Sequence, residues 1–104
     1  MKILIDTNIY RDFCENKESV VTNFRLAEKI GISIITLAEL RAGFFCGKYG
    51  RKNEEILSRF LDKPRIKILA PDEETTYHYG QLFKQLRSQG TPIPTNDLWI
   101  ASLA

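Results

Sequence analysis

Near its N-terminus the chain reads Ile3-Leu4-Ile5-Asp6-Thr7-Asn8. The apolar run before the acid is typical of a short strand that is buried on both faces of a parallel sheet. The polar residues that follow it favour a turn from the strand into a helix. Ligands of open α/β sheets bind outside the carboxyl ends of the strands, so Asp6 is a candidate site residue.

Two more acids stand in comparable places. Glu39 follows an apolar run at 32–35, and Asp97 opens the apolar segment 98–103. Because the carboxyl ends of parallel strands meet at one edge of a sheet, we expect Asp6, Glu39 and Asp97 to converge in one cleft. Carboxylates without histidine or cysteine partners suit a hard cation such as Mg²⁺ or Mn²⁺.

Each acid also has a purely structural interpretation. Asp6 could cap the helix that follows it. The sequence from Thr36 to Glu39 matches a capping box, in which the glutamate bonds back to the first residue of the box. Asp97 would lie in the first turn of a helix, where the helix dipole favours a negative charge. These interpretations stay open, and they are compatible with a shared metal site.

Strand patterns alternate with helical ones along the chain. We predict strands at 2–5, 32–35 and 66–69. The first predicted helix covers 6–14, the second runs from about 20 to a stop at Gly31, and the third begins at Thr36. The fourth ends before Pro64, the fifth runs from a cap at Asp72 to Gly90, and the sixth begins at Thr95. Residues 43–53 read as a mobile glycine-rich loop. Strands separated by helices predict an α/β fold with a parallel sheet.

The bulk composition is that of a single globular domain, residues 1–104. Hydrophobic residues make up 43% and charged residues 27%, with a net charge of +2 and a pI of about 8.6. The charge permits a nucleic-acid partner without indicating one. The apolar runs are too short for a bilayer and the N-terminus has no signal-peptide pattern, so no membrane association and a cytoplasmic location are expected.

Other catalytic chemistries find little support. Cys14 and Cys46 have no CxxC neighbour and are expected to be buried free thiols. His78 is expected to be a helix-surface or packing residue, since no second histidine or cysteine stands at a metal-binding spacing. The chain has no Ser–His pair, Cys–His pair or glycine-rich phosphate loop. A phosphatase-like aspartyl nucleophile at Asp6 would want a second aspartate where the chain has Asn8.

Residues 5–8, 35–40 and 90–101 together resemble the three acidic motifs of PIN domains, in particular those of VapC-type toxins from toxin–antitoxin pairs. The order and spacing of the motifs agree over the whole chain. The resemblance implies a three-layer α/β/α fold and a Mg²⁺- or Mn²⁺-dependent endoribonuclease. It also implies that Asp6, Glu39 and Asp97 are catalytic, metal-binding acids, supported by Thr7 and Asn8. RNA as substrate, a cognate antitoxin and a homodimer are implied as well.

The resemblance departs from the family at the C-terminus. PIN domains usually continue through two more strands, with a fourth acid after the fourth strand. The last strands are therefore missing here, and the strand at 2–5 is expected to form a bare sheet edge. We expect the 104-residue chain to be a fragment or a processed form with low stability, weak metal binding and poor activity.

Two functions follow from these observations. The first is a metal-dependent ribonuclease toxin, and the second is an inactive PIN scaffold that binds protein or RNA. Phe44, Phe45 and Tyr49 are candidates for an exposed partner surface, with core packing as the alternative. Five basic residues are candidate phosphate contacts: Arg41, Lys48, Arg51, Lys52 and Arg87.

Overall fold

The computed structural model describes residues 2–103. Three strands form a parallel sheet in the order β1-β2-β3: β1 Lys2–Ile5, β2 Lys29–Ser33 and β3 Ile66–Leu69. In the register Ile3 pairs with Ile30, and Ile30 pairs with Ile66. Within the described part of the chain β1 pairs with β2 alone, so it lies at a sheet edge as the sequence predicted.

Six helices connect and flank these strands within residues 2–103. They are α1 Thr7–Cys14, α2 Glu18–Leu26, α3 Ile34–Cys46, α4 Gly50–Leu61, α5 Glu73–Ser88 and α6 Thr95–Leu103. The fold is a three-layer α/β/α arrangement, as expected. No helix among them is long and apolar enough to cross a membrane.

The second strand lies earlier in the sequence than predicted. Ile30 belongs to β2 rather than to the preceding helix, and Gly31 lies inside the strand rather than at a helix end. The helical spacing of the apolar residues was misleading because pairing with β1 and β3 fixes this segment. At Gly31 a β-carbon would lie 2.9 Å from Leu69 Cδ1, so the glycine makes room for that side chain.

The start of α3 also differs from the prediction, because the strand before it lies earlier in the sequence than predicted. Ser33, not Thr36, caps the helix: its hydroxyl accepts a 3.0 Å hydrogen bond from the Thr36 backbone N–H. Both hydroxyls are fully buried and are 3.0 Å apart. The predicted capping box between Thr36 and Glu39 is therefore wrong, and Glu39 lies on α3 beyond its first turn.

The predicted loop at 43–53 is mostly helical. Helix α3 runs to Cys46 and α4 begins at Gly50, which leaves only residues 47–49 as the connection. A β-carbon at Gly50 would overlap the backbone carbonyl of Phe44, so the glycine lets the two helices approach closely. The glycines were read as loop residues, but Gly43 is simply part of a helix.

The core combines aliphatic residues of the sheet with an aromatic cluster between helices. Phe13 stacks on Phe24 with ring centroids 4.4 Å apart, and Tyr10 meets Phe60 edge to face at 5.4 Å. The prediction of buried cysteines is wrong, because Cys14 and Cys46 are free and exposed.

The remaining local predictions are confirmed. Strand β3 has the predicted bounds, and Asp72 caps α5 in a capping box with Thr75. Gly90 has a φ of +70°, a left-handed conformation that suits glycine beyond a helix end. His78 is exposed on α5, with Nε2 3.7 Å from Glu74 Oε1.

Candidate active site

The three predicted acids line one cleft. This acid cleft has a volume of about 330 Å³ and lies at the carboxyl end of β1. Its lining consists of Asp6, Thr7, Asn8, Arg11, Glu39, Asp97 and Ile100. The structure thus brings together all five residues that the sequence singled out as catalytic or supporting. Their catalytic and metal-binding roles stay a prediction.

Asp6 is held where the first strand ends. It is the N-cap of α1, and its Oδ1 accepts a 2.8 Å hydrogen bond from the backbone N–H of Ile9. The preceding residue, Ile5, is only 1% exposed and anchors the turn in the core. The capping role of Asp6 is therefore confirmed, and it is compatible with the place of its exposed carboxylate in the lining of the cleft.

Glu39 is held by a contact between two helices. The hydroxyl of Thr7 on α1 donates a 3.2 Å hydrogen bond to Glu39 Oε1 on α3. Glu39 is half-buried, and its neighbours Leu37 and Leu40 are each 3% exposed. Because Ser33 already caps α3, the Glu39 carboxylate has no capping role and is free to face the cleft.

Asp97 comes from the other end of the chain. It lies in the first turn of α6, which begins with a hydrogen bond from the Leu98 N–H to the Pro94 carbonyl. Leu98 is 3% exposed, and Trp99 packs on Tyr79 of α5 with ring centroids 4.3 Å apart. These contacts fix the helix so that Asp97 reaches the same cleft as Asp6.

Sequence reasoning missed Arg11. It lines the acid cleft, whereas none of the five basic residues proposed as phosphate contacts does so. Arg41 instead bonds to Glu54, with Nε 2.8 Å from Oε1, and with Arg51 it lines a separate cavity beside Phe45. The available signal was spacing, because Arg11 is four residues after Thr7 and lies on the same face of α1.

A second cavity adjoins the acid cleft and shares Arg11 with it. This side pocket measures about 310 Å³ and is lined by Tyr10, Arg11, Cys14, Glu15, Leu40, Gly43, Phe44, Asn53 and Ile56. Burial raises the pKa of the Tyr10 phenol, and a hydrogen bond with Cys14 raises it further. Tyr10 is therefore a neutral part of the wall.

The donor atoms of the acid cleft match a hard divalent cation. Carboxylates of Asp6, Glu39 and Asp97 stand beside the hydroxyl of Thr7 and the amide of Asn8, so oxygen is the donor throughout this set. Within residues 2–103, however, no three acidic, histidine or cysteine side chains form a ready-made metal cluster. By its donor chemistry the set fits an ion such as Mg²⁺, which is held by few protein ligands and keeps several of its waters.

Comparison with known proteins identifies relatives over nearly the whole chain. The family model for the PIN domain matches residues 3–104. Ribonuclease VapC1 of Haemophilus influenzae is 35% identical in an alignment 107 residues long. The alignment covers 97% of this chain and 77% of that protein. Ribonuclease VapC2 of Rickettsia felis is 38% identical in an alignment 109 residues long. The alignment covers 100% of this chain and 79% of that protein.

A solved structure supports the same relationship. The structure of VapBC2 from Rickettsia felis, bound to a DNA fragment from their promoter, superposes with a TM-score of 0.87. The identity is 34%, and the match covers 100% of this chain and 80% of the other. The agreement therefore extends to every strand and helix that positions the acid cleft.

Proposed function

Because this chain belongs to the PIN domain family, as a relative of the VapC ribonucleases, we propose that it is a metal-dependent endoribonuclease. The observation that carries the proposal is the acid cleft, where Asp6, Glu39 and Asp97 come together from three distant parts of the chain. We further propose that it acts in the cytoplasm as the toxin of a toxin–antitoxin pair, on the ground that its relatives are VapC ribonucleases and a VapBC complex.

The proposed cofactor is Mg²⁺ or Mn²⁺, held by the three acids with Thr7 and Asn8 in support. When bound, such an ion polarises a phosphodiester and lowers the pKa of an attacking water. The chain's own contribution is to fix the ligands before substrate arrives. The helix cap holds Asp6, the Thr7 hydroxyl orients Glu39, and the buried anchor Leu98 holds Asp97.

The test is cleavage of single-stranded RNA and of a structured tRNA by the purified chain. We expect cleavage with Mg²⁺ or Mn²⁺, none in excess EDTA, and recovery when the metal is restored. Asp97→Asn should abolish cleavage, whereas Asp62→Asn, at the exposed end of α4, should not. Cleavage that persists in EDTA, or an active Asp97→Asn variant, would contradict the proposal.

An antitoxin and a second copy of the chain are the proposed protein partners. Support comes from the related structures, which are those of VapBC proteins. It also comes from two aromatic side chains beside the α3–α4 connection, since Phe45 is 91% and Tyr49 is 70% exposed. We expect Phe45→Ser to weaken association in sedimentation experiments. A wild-type chain that stays monomeric across micromolar concentrations would count against the homodimer.

An inactive scaffold that binds RNA or protein is the alternative function. It is favoured by the lack of a preformed three-residue metal cluster among the described residues. The same experiment decides between the two functions. Binding of RNA without cleavage, at metal concentrations well above those that saturate related carboxylate sites, would favour the scaffold.

A further inference from the structure

We propose that the side pocket binds the nucleotide next to the cleaved phosphodiester, and that Arg11 holds the phosphate between pocket and acid cleft. This inference rests on the proposed ribonuclease function and adds a substrate subsite to it. The observations that carry it are the shared lining residue Arg11 of the two cavities, the charge of that residue and the lining of the pocket.

The two cavities follow each other along the same pair of helices. On α1, Thr7 lines the acid cleft and Arg11, one turn later, lines both cavities. On α3, Glu39 lines the cleft and Gly43, one turn later, lines the side pocket. One helical turn is about 5.4 Å, so a strand whose phosphate lies at the acids extends into the pocket within a nucleotide or two.

The charges of the two cavities make Arg11 necessary for such a strand. Three carboxylates in the cleft and that of Glu15 in the side pocket repel phosphate, and Arg11 is the one basic residue of either lining within residues 2–103. The ion pairs between described residues are Asp12–Lys17, Arg41–Glu54 and Glu74–His78, so Arg11 is not neutralised by one of them. A guanidinium group binds phosphate through two parallel hydrogen bonds, which suits this position.

The lining of the side pocket suits a base. Its volume of about 310 Å³ falls at the lower end of the range for small organic ligands, which is about 300–1,000 Å³. The half-buried ring of Phe44 and the side chain of Ile56 give it apolar walls. The amide of Asn53 offers both a donor and an acceptor to a base edge. Bases in single-stranded RNA are commonly held by aromatic and polar contacts of this kind.

Gly43 allows the pocket to be filled without disturbing the core. A β-carbon at Gly43 would meet no other atom within 4 Å, and the same is true of Gly80 on α5. Gly43→Leu should therefore occupy the pocket, while Gly80→Leu is the matched control on a helix that lines neither cavity. Both changes remove a glycine from a helix, so neither is expected to lower the melting temperature.

The readout is the binding of a short single-stranded RNA in EDTA, measured by fluorescence anisotropy, so that affinity is independent of cleavage. Gly43→Leu should raise Kd about tenfold, the order expected for losing one base contact, and Gly80→Leu should leave it unchanged. Equal affinities of the two variants would overturn the pocket assignment. Loss of binding to an antitoxin, with RNA affinity intact, would make the pocket a protein site and also overturn the proposal.

Arg11 is tested by the salt dependence of the same binding. Arg11→Gln should reduce the slope of log K against log salt by about 0.7, the value for one phosphate contact on a single strand. Arg11→Lys should keep most of the slope, and Arg59→Gln, exposed on α4, should keep all of it. An unchanged slope in Arg11→Gln would overturn the role of Arg11.

Cleavage by the same variants separates this proposal from the ribonuclease function. With Mg²⁺, Gly43→Leu and Arg11→Gln should each raise KM for RNA, since each removes a contact with the bound substrate. A chain that binds RNA through the pocket without cleaving it would overturn the ribonuclease function alone. A chain that cleaves RNA while both variants match their controls would overturn the subsite alone.

Discussion

Asp6 and Asp72 are two aspartates in the same local structure with different surroundings. Each follows a strand, caps the next helix, and accepts a 2.8 Å hydrogen bond from the backbone N–H three residues later. Asp6 lines the acid cleft beside Glu39 and Asp97. Asp72 is not part of the lining of that cleft, and the Thr75 hydroxyl donates to its carboxylate at 2.8 Å.

Helix capping therefore neither indicates nor excludes a place in the acid cleft. The two caps have the same local cause, which is an orphan N–H group at a helix start. What differs is the sheet edge to which each is attached and the acids that other segments bring there. Substitutions that keep the cap and remove the charge therefore separate the two roles.

The largest expected difference is between Asp6→Asn and Asp72→Asn. Asparagine caps helices about as well as aspartate, so both variants should fold. Asp6→Asn should lower the rate of RNA cleavage by more than about 100-fold. That figure is the upper limit for residues that only hydrogen-bond to a metal ligand, whereas Asp6 is proposed as a ligand itself. Asp72→Asn should leave it within about twofold. The rates are measured with saturating Mg²⁺, and similar losses in both variants would refute the distinction.

Thr7 directly follows the capping residue Asp6 and donates a hydrogen bond to Glu39, so its role in cleavage can be tested in the same way. Thr7→Val keeps the shape of the side chain but leaves the Glu39 carboxylate without its donor, so cleavage should fall about tenfold. Thr7→Ser should restore most of the rate, because it keeps the hydroxyl. Thr22→Val, exposed on α2, is the control for a valine in a helix. Equal rates for Thr7→Val and wild type would show that Glu39 needs no such support.

Ser33 caps a helix but carries no carboxylate, so its loss should change the free energy of unfolding and not the rate of RNA cleavage. Ser33→Ala removes the cap of α3 and a buried partner of the Thr36 hydroxyl, which should lower the free energy of unfolding by about 1 kcal/mol. Ser58→Ala, exposed on α4, should leave it unchanged. Urea denaturation measures both. A strong loss of RNA cleavage by folded Ser33→Ala would contradict this separation.

The smallest expected effect concerns pH. The backbone N–H and hydroxyl of Thr75 lower the pKa of Asp72 below its usual value of 3.8. The ionised Asp72 carboxylate therefore stabilises the folded chain above pH 3.8, and this stabilisation is lost as the pH falls through the lower pKa of the folded state. Asp72→Asn should lack this component, so the stability difference between wild type and variant should shrink on acidification. Parallel urea-denaturation midpoints across that range would contradict the assignment.

Local patterns in the sequence were sufficient where neighbouring residues fix the structure. They predicted β1, β3, the caps at Asp6 and Asp72, the exposed His78 and the first-turn position of Asp97. Each of these depends on hydrogen bonds or burial within a few residues. The three acids were found in the same way, because each stands at the end of a strand pattern or the start of a helix pattern.

Contacts between distant segments decided the rest. Pairing of Ile30 with Ile3 and Ile66 placed β2, although the local pattern there was helical. Helix packing joined Thr7 to Glu39 and brought Arg11 to the boundary of two cavities. A sequence pattern specifies which face of a segment is apolar, but the partner of that face is set by the free energy of packing the whole chain. The acids and their convergence could therefore be predicted from sequence, whereas Arg11 at the cleft and the neighbouring pocket could not.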